Sequence, residues 1–292
     1  MPAIPSWTLV TLEERPNQRA LRRWKVVAVL LALLQANSAV LDVEANCSAI
    51  AAAARAAAAR GAAVLLTPEL FPVGYAPRRV RSELAPALLP ALRDRLAAIA
   101  RNNRIGLVYS LPRISEQGEW QISATLLDAT GASLLSYGKV HLFGPDERAA
   151  FSPARERPGV VDFNGIPTSM VICYDVEFPE AVRAAAVGGA ELLLVPTALA
   201  HGFDDVPRVL LRARALESQL TIAYANHSGD EDGCRFLGGS VVAGPDGGLL
   251  AEAGGEPQLL YAEVDPGAAG RERRTVPYLE ERRPDLYSSW GF

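Results

Sequence analysis

The segment Met170-Val171-Ile172-Cys173-Tyr174-Asp175-Val176-Glu177-Phe178-Pro179-Glu180 leads an apolar run into a single cysteine, and a Pro-opened, Ala-rich run follows it. This is the pattern of a buried strand feeding a helix, with Cys173 as the strand's last residue. A nucleophile at such a turn meets substrate at the strand end. The next backbone N–H groups are then free to hold an oxyanion. Two other segments share the design. Glu69 stands in Leu65-Leu66-Thr67-Pro68-Glu69-Leu70-Phe71, and Lys139 stands in Tyr137-Gly138-Lys139-Val140-His141-Leu142-Phe143. Each again closes a strand-like run, so three apolar strands, each ending in one reactive residue, read as one active site.

Outward from these segments, helices and strands alternate. Val26–Gln35 reads as a buried strand, and Asp42 caps a helix that runs to Arg60 and closes at Gly61. Ala62–Thr67 is a strand, Pro86–Arg101 a helix and Ile105–Leu111 a strand. Gln121–Asp128 and Ser133–Tyr137 form a hairpin around Ala129-Thr130-Gly131, and Val160–Phe163 and Pro167–Cys173 form one around Asn164-Gly165. Phe178–Val187 and Val206–Gln219 are helical. Glu191–Val195, Thr221–Asn226, Gly239–Ala243 and Leu259–Val264 complete the strands, with a turn at Pro245-Asp246-Gly247. Arg55–Pro68 also aligns without gaps on Arg183–Pro196, through a shared Gly-Ala-x-x-Leu-Leu-x-Pro. The echo points to two related helix–strand halves, built as mixed sheets covered by helices.

The chain has 292 residues, 49% hydrophobic and 21% charged, with a net charge of −4. That composition fits a globular protein with a sizeable core and gives no support to nucleic-acid binding. Cys47, Cys173 and Cys234 are odd in number and widely spaced, which favours a reducing, cytoplasmic setting over a disulfide framework. No zinc-binding motif, P-loop, Gly-x-Gly-x-x-Gly or Gly-x-Ser-x-Gly occurs, so we expect no metal, no cofactor and no serine nucleophile. The apolar run Val26–Leu34 is too short to span a bilayer and reads as a first core strand rather than a signal peptide. Residues 1–24 lack periodicity and read as an extension, and residues 25–292 as one domain.

A neutral thiol attacks a carbonyl carbon slowly and needs a base. Glu69 can take its proton and return it to a leaving amine. Lys139, together with the Tyr174 backbone N–H, can hold the oxyanion. The context of all three resembles the nitrilase, or carbon–nitrogen hydrolase, superfamily over nearly all of residues 26–292. The resemblance rests on Thr67-Pro68-Glu69-Leu70-Phe71-Pro72-Val73-Gly74-Tyr75, on Gly138-Lys139-Val140-His141-Leu142-Phe143, and on Ile172 through Glu180 around the cysteine. It implies an αββα four-layer sandwich, a thioester intermediate, and Glu69, Lys139 and Cys173 as base, oxyanion stabiliser and nucleophile. It also implies a second pocket glutamate, for which Glu147 fits by position, with a surface charge beside Asp146 and Arg148 as the alternative.

The residues after Cys173, with Val195-Pro196-Thr197-Ala198 and Ile222–Asn226, look most like aliphatic amidases of the 5-aminopentanamidase type. That branch implies a small linear carboxamide as substrate, ω-amino amides included. Nitrilase, omega-amidase and N-carbamoyl amine hydrolase activities are alternatives within the superfamily, and a catalytically silent scaffold is the non-enzyme alternative. We assign Tyr75, Phe143, Tyr174, Glu177, Thr197 and Ala198 to substrate binding. For Glu177 the alternative is a helix N-terminal charge complementing the dipole. His141 reads as a structural hydrogen-bonding group, and Cys47 as core packing. The family's habit of dimerising implies a homo-oligomer, with contacts from about residues 271–292.

Overall fold

The computed structural model describes residues 28–291. The expected 1–24 extension and the first two residues of the expected Val26–Gln35 strand lie outside that range. Two six-stranded sheets form the centre of the molecule. The first runs, in spatial order, β14 (Gln258–Val264), β1 (Val29–Gln35), β2 (Val64–Leu66), β3 (Gly106–Ile114), β4 (Trp120–Leu127) and β5 (Ser133–Gly138). The second runs β13 (Leu249–Glu252), β12 (Val241–Ala243), β9 (Thr221–Ala225), β8 (Leu192–Pro196), β7 (Ile166–Met170) and β6 (Val161–Phe163). The sheets face each other, with β1 resting on β9 and with β2 and β3 resting on β8. Helices α1 (Val43–Ala59) and α3 (Leu88–Asn103) cover the outside of the first sheet. Helices α5 (Pro179–Val187) and α6 (Leu211–Ser218) cover the second. This is the expected four-layer sandwich.

The Arg55/Arg183 echo has a structural counterpart. β1, β2 and β3 are mutually parallel, as are β7, β8 and β9. Each triplet is flanked by antiparallel partners: β14 and β4 in one sheet, β6 and β12 in the other. The echoed residues are α1–β2 in one half and α5–β8 in the other. Buried on both faces, these central strands read as continuous apolar runs, as in Leu192-Leu193-Leu194-Val195.

Local signals hold at several places. Asp42 accepts the Ala45 N–H at 2.9 Å, and the chain leaves α1 through Gly61 at φ +81°. Asn164 and Gly165 take φ +53° and +80°, the pair of left-handed residues a two-residue hairpin turn requires. Other elements depart from expectation. The Val206–Gln219 helix begins as a wider π turn over Val206–Leu210, which contains Pro207 and its missing donor, and becomes α-helical only at Leu211. Unforeseen elements are α2 (Pro77–Glu83), α4 (Gly144–Ala150), the hairpin of β10 (Ser228–Glu231) and β11 (Cys234–Leu237), β13, α7 (Ala268–Thr275) and α8 (Pro284–Ser289).

Candidate active site

The three reactive residues do not close their strands. β2 ends at Leu66, β5 at Gly138 and β7 at Met170, so each residue lies one to three positions beyond a strand end. Past the ladder, Glu69 and Lys139 are pinned by their own backbone bonds. The Glu69 N–H donates to Thr197 O at 3.1 Å, joining the two sheets. The Lys139 N–H donates to Ile122 O at 2.9 Å. Cys173 opens a single 3₁₀ turn, Cys173–Glu177, at φ +47°. A left-handed conformation is costly for a residue with a Cβ, so the surrounding bonds hold it there.

The side chains converge between the sheets. The Lys139 ammonium donates to Glu69 Oε1 at 2.7 Å and to Glu147 Oε1 at 2.6 Å, and all three side chains are buried. Glu147 is therefore buried in this cluster and is not a surface charge. Its Oε1 also accepts the Tyr75 hydroxyl at 2.5 Å, and its Oε2 accepts the Phe143 N–H at 2.8 Å. Glu69 Oε2 is buried and has no hydrogen-bond partner within bonding geometry among the described residues, although the Cys173 thiol lies near the carboxyl group.

Two carboxylates around one ammonium leave an excess of negative charge in a dry site. Burial pushes Glu69 up to about 7, against the pull of Lys139 and the nearby Cys173 thiol. Burial also works against the Lys139 charge, but the two carboxylates hold it well above the ordinary lysine value. The Cys173 thiol is raised well above its usual range by burial and by Glu69 and Glu147. Lys139 and the Ala198 N–H act in the opposite sense. At rest the thiol is protonated, beside a carboxyl group whose titration falls near neutrality.

Asp175, which sequence reasoning passed over, fixes the nucleophile turn to the lysine strand. Its buried carboxylate accepts the Ile172 N–H at 3.2 Å and the Tyr137 hydroxyl at 3.1 Å. It also accepts the His141 N–H at 2.9 Å and lies 2.8 Å from His141 Nδ1. His141 stacks on Phe178 with ring centroids 3.9 Å apart, in the structural role its sequence position suggested. Cys47 is buried on α1, as expected.

The remaining assignments divide. Tyr75 and Phe143 line a cavity of about 380 Å³ that reaches Glu147 from outside. Tyr174 packs edge-on against Phe143 and Phe178 at 5.3 and 4.9 Å. The Ala198 backbone N–H acts on the Cys173 sulfur. Glu177 is half-buried; burial raises its carboxyl group, and Lys139 and Arg214 act to lower it. Thr197 is buried; its hydroxyl donates to the Tyr224 oxygen at 3.0 Å and its carbonyl accepts the Glu69 N–H at 3.1 Å. Among the described residues no cluster of three or more His, Cys, Asp or Glu is placed to hold a metal ion.

A cysteine, a carboxyl group titrating near neutrality and a fixed ammonium, buried together, form a site for nucleophilic acyl transfer. Residues 30–274 match the carbon-nitrogen hydrolase family, and the chain belongs to it. It is a hydrolase of carbon–nitrogen bonds other than peptide bonds, with amidase relatives. It is 38% identical over 266 residues to the "Hydrolase in pqqF 5'region" of Pseudomonas protegens, covering 90% of this chain and 92% of that protein. It is 33% identical to an (R)-stereoselective amidase of Pseudomonas sp., covering 75% and 79%. The crystal structure of an amidase from Nesterenkonia sp. matches with a TM-score of 0.85 and 45% identity, covering 91% and 97%. Variants of the Nesterenkonia sp. AN1 amidase have been solved with butyramide, with acrylamide, and with the acetamide moiety of fluoroacetamide covalently on the active-site cysteine.

Proposed function

We propose that this protein hydrolyses a small linear carboxamide to the carboxylic acid and ammonia through a thioester on Cys173. The observation that carries the reading is the buried Lys139 ammonium shared by Glu69 at 2.7 Å and Glu147 at 2.6 Å, beside a protonated thiol. Glu69 takes the Cys173 proton, and the sulfur forms a bond to the amide carbon. The carbonyl π electrons move onto oxygen, where Lys139 and the Tyr174 N–H face the oxyanion. The oxyanion collapses, the C–N bond breaks, and Glu69 returns its proton to the departing ammonia. Water then attacks the thioester with Glu69 again as base, and the carboxylic acid leaves as the thiol re-forms. Glu147 anchors Lys139 so that its third proton stays directed at the reacting oxygen.

The amides held by the Nesterenkonia relative are short, which supports a short acyl chain here. Glu177 extends the reading to ω-amino amides. Its attraction for an ammonium contributes only about 1 kcal/mol, because solvent and Arg214 oppose it. The test is ammonia release from matched aliphatic, ω-amino and ω-carboxy amides and from the corresponding nitriles. The amides should turn over and the nitriles should not, with a several-fold preference for the ω-amino member that shrinks in high salt. A nitrile preference would overturn the amidase reading. A carboxylate preference would overturn the branch. An ω-amino preference retained in Glu177→Gln would return Glu177 to a helix-end charge.

A further inference from the structure

His227 follows β9 and is buried in the layer beneath Glu69. Its Nε2 lies 2.6 Å from the Glu69 backbone oxygen, and its Nδ1 lies 2.6 Å from Glu231 Oε1. A carbonyl oxygen has no proton to give, so Nε2 must be the donor. Glu231 already accepts three further protons. The Ser38 N–H reaches Oε1 at 2.6 Å; the Ser38 hydroxyl and the Tyr75 N–H reach Oε2 at 2.6 and 3.1 Å. A carboxylate accepting so many hydrogen bonds is ionised, so Nδ1 must be a donor as well. With both ring nitrogens donating, the ring is an imidazolium.

We propose that His227 is a positioning residue, held as an imidazolium, that clamps the Glu69 and Tyr75 backbones in register through the Glu231 carboxylate. The clamp acts on both arms of the catalytic cluster. Glu69 reaches Lys139 directly, and Tyr75 reaches it through Glu147. Phe236, Phe71 and Tyr75 surround the ring at centroid distances of 4.9, 5.6 and 6.4 Å, so water has little access to the cation. Burial works against the charge, and Glu231 together with the Glu69 carbonyl outweighs it, leaving His227 above the ordinary histidine value. Among the described residues, the carboxyl groups acting on the ring are Glu231 and, more weakly, Glu69. No sequence motif marks this pair, because His227 and Glu69 are 158 positions apart.

The proposal rests on Glu69 being the base, and its first test is independent of that role. Nitrogen-15 spectra of the imidazole rings in the wild-type enzyme, assigned with His141→Gln and His201→Gln, should show both His227 nitrogens protonated at a pH above the ordinary histidine range. A single protonated nitrogen there would overturn the clamp and leave the role of Glu69 intact. The second test is kinetic. His227→Gln should lower kcat roughly 10- to 100-fold with KM little changed, since misplacing the base costs the chemical step. Because the pair acts as one unit, adding Glu231→Gln should cost little more. A folded His227→Gln variant with kcat within about twofold of wild type, or with losses that add fully, would also overturn it.

Discussion

Glu69 uses one carboxylate oxygen on Lys139, and the other is buried with no hydrogen-bond partner among the described residues. An acceptor in that condition is poised for a proton and unfavourable while it lacks one. The two consequences have opposite signs. The folded value of about 7 lies above the ordinary 4.5, so the folded protein holds this proton longer than the unfolded chain. Stability from Glu69 is therefore complete below 4.5 and is lost as pH rises through 7, while kcat/KM gains its base over that same interval. Chemical denaturation across this range should show the decline in wild type and its absence in Glu69→Gln. The same variant should lose about 100- to 10,000-fold in activity. At Cys173 the backbone gives a separate expectation. Because φ is +47°, Cys173→Gly should be more stable than Cys173→Ala by about 1 kcal/mol in denaturant titrations, although both are inactive. The sequence named Glu69, Lys139, Cys173 and Glu147 because their motifs and spacing are local. Asp175 and His227 escaped it because their roles arise only where distant segments meet.

At the scale of elements, the legible parts were those with local rules: the Asp42 cap, the Asn164-Gly165 turn and the apolar central strands. The β10–β11 hairpin carried a comparable signal. Asp232 and Gly233 take φ +47° and +82°, an Asp-Gly turn of the kind that closes two-residue hairpins, but its short, polar first strand hid it. Helices α2 and α4 are single short pieces opened by Pro77 and Pro145, below the length at which periodicity shows. Gly74, just before α2, has φ +82°, and a Cβ there would lie 2.6 Å from the Val40 Cα. Gly74→Ala should thus displace the Tyr75 segment, costing at least about 2 kcal/mol by thermal melting and lowering kcat as the Tyr75–Glu147 bond is lost.

Across the whole molecule, the two halves meet at the site: Glu69 and Lys139 follow strands of the first sheet, and Cys173 and Ala198 follow strands of the second. α7 is tied down by Arg273, which donates to the Ala190 carbonyl at 2.7 Å, whereas α8 buries none of its residues. Trp290 is 62% exposed, and Val276, Tyr278, Leu286 and Val187 are exposed as well. An apolar surface of that kind favours self-association. Sedimentation should therefore show a dimer that Trp290→Glu with Leu286→Glu weakens; an unchanged monomer would remove the expectation. The covalent step remains the centre of the account. Intact-mass and peptide analysis of the enzyme quenched during turnover of a short amide should find the acyl group on Cys173 and on no other residue, and none in Cys173→Ala. An acyl group on a different side chain, or wild-type turnover by Cys173→Ala, would contradict it.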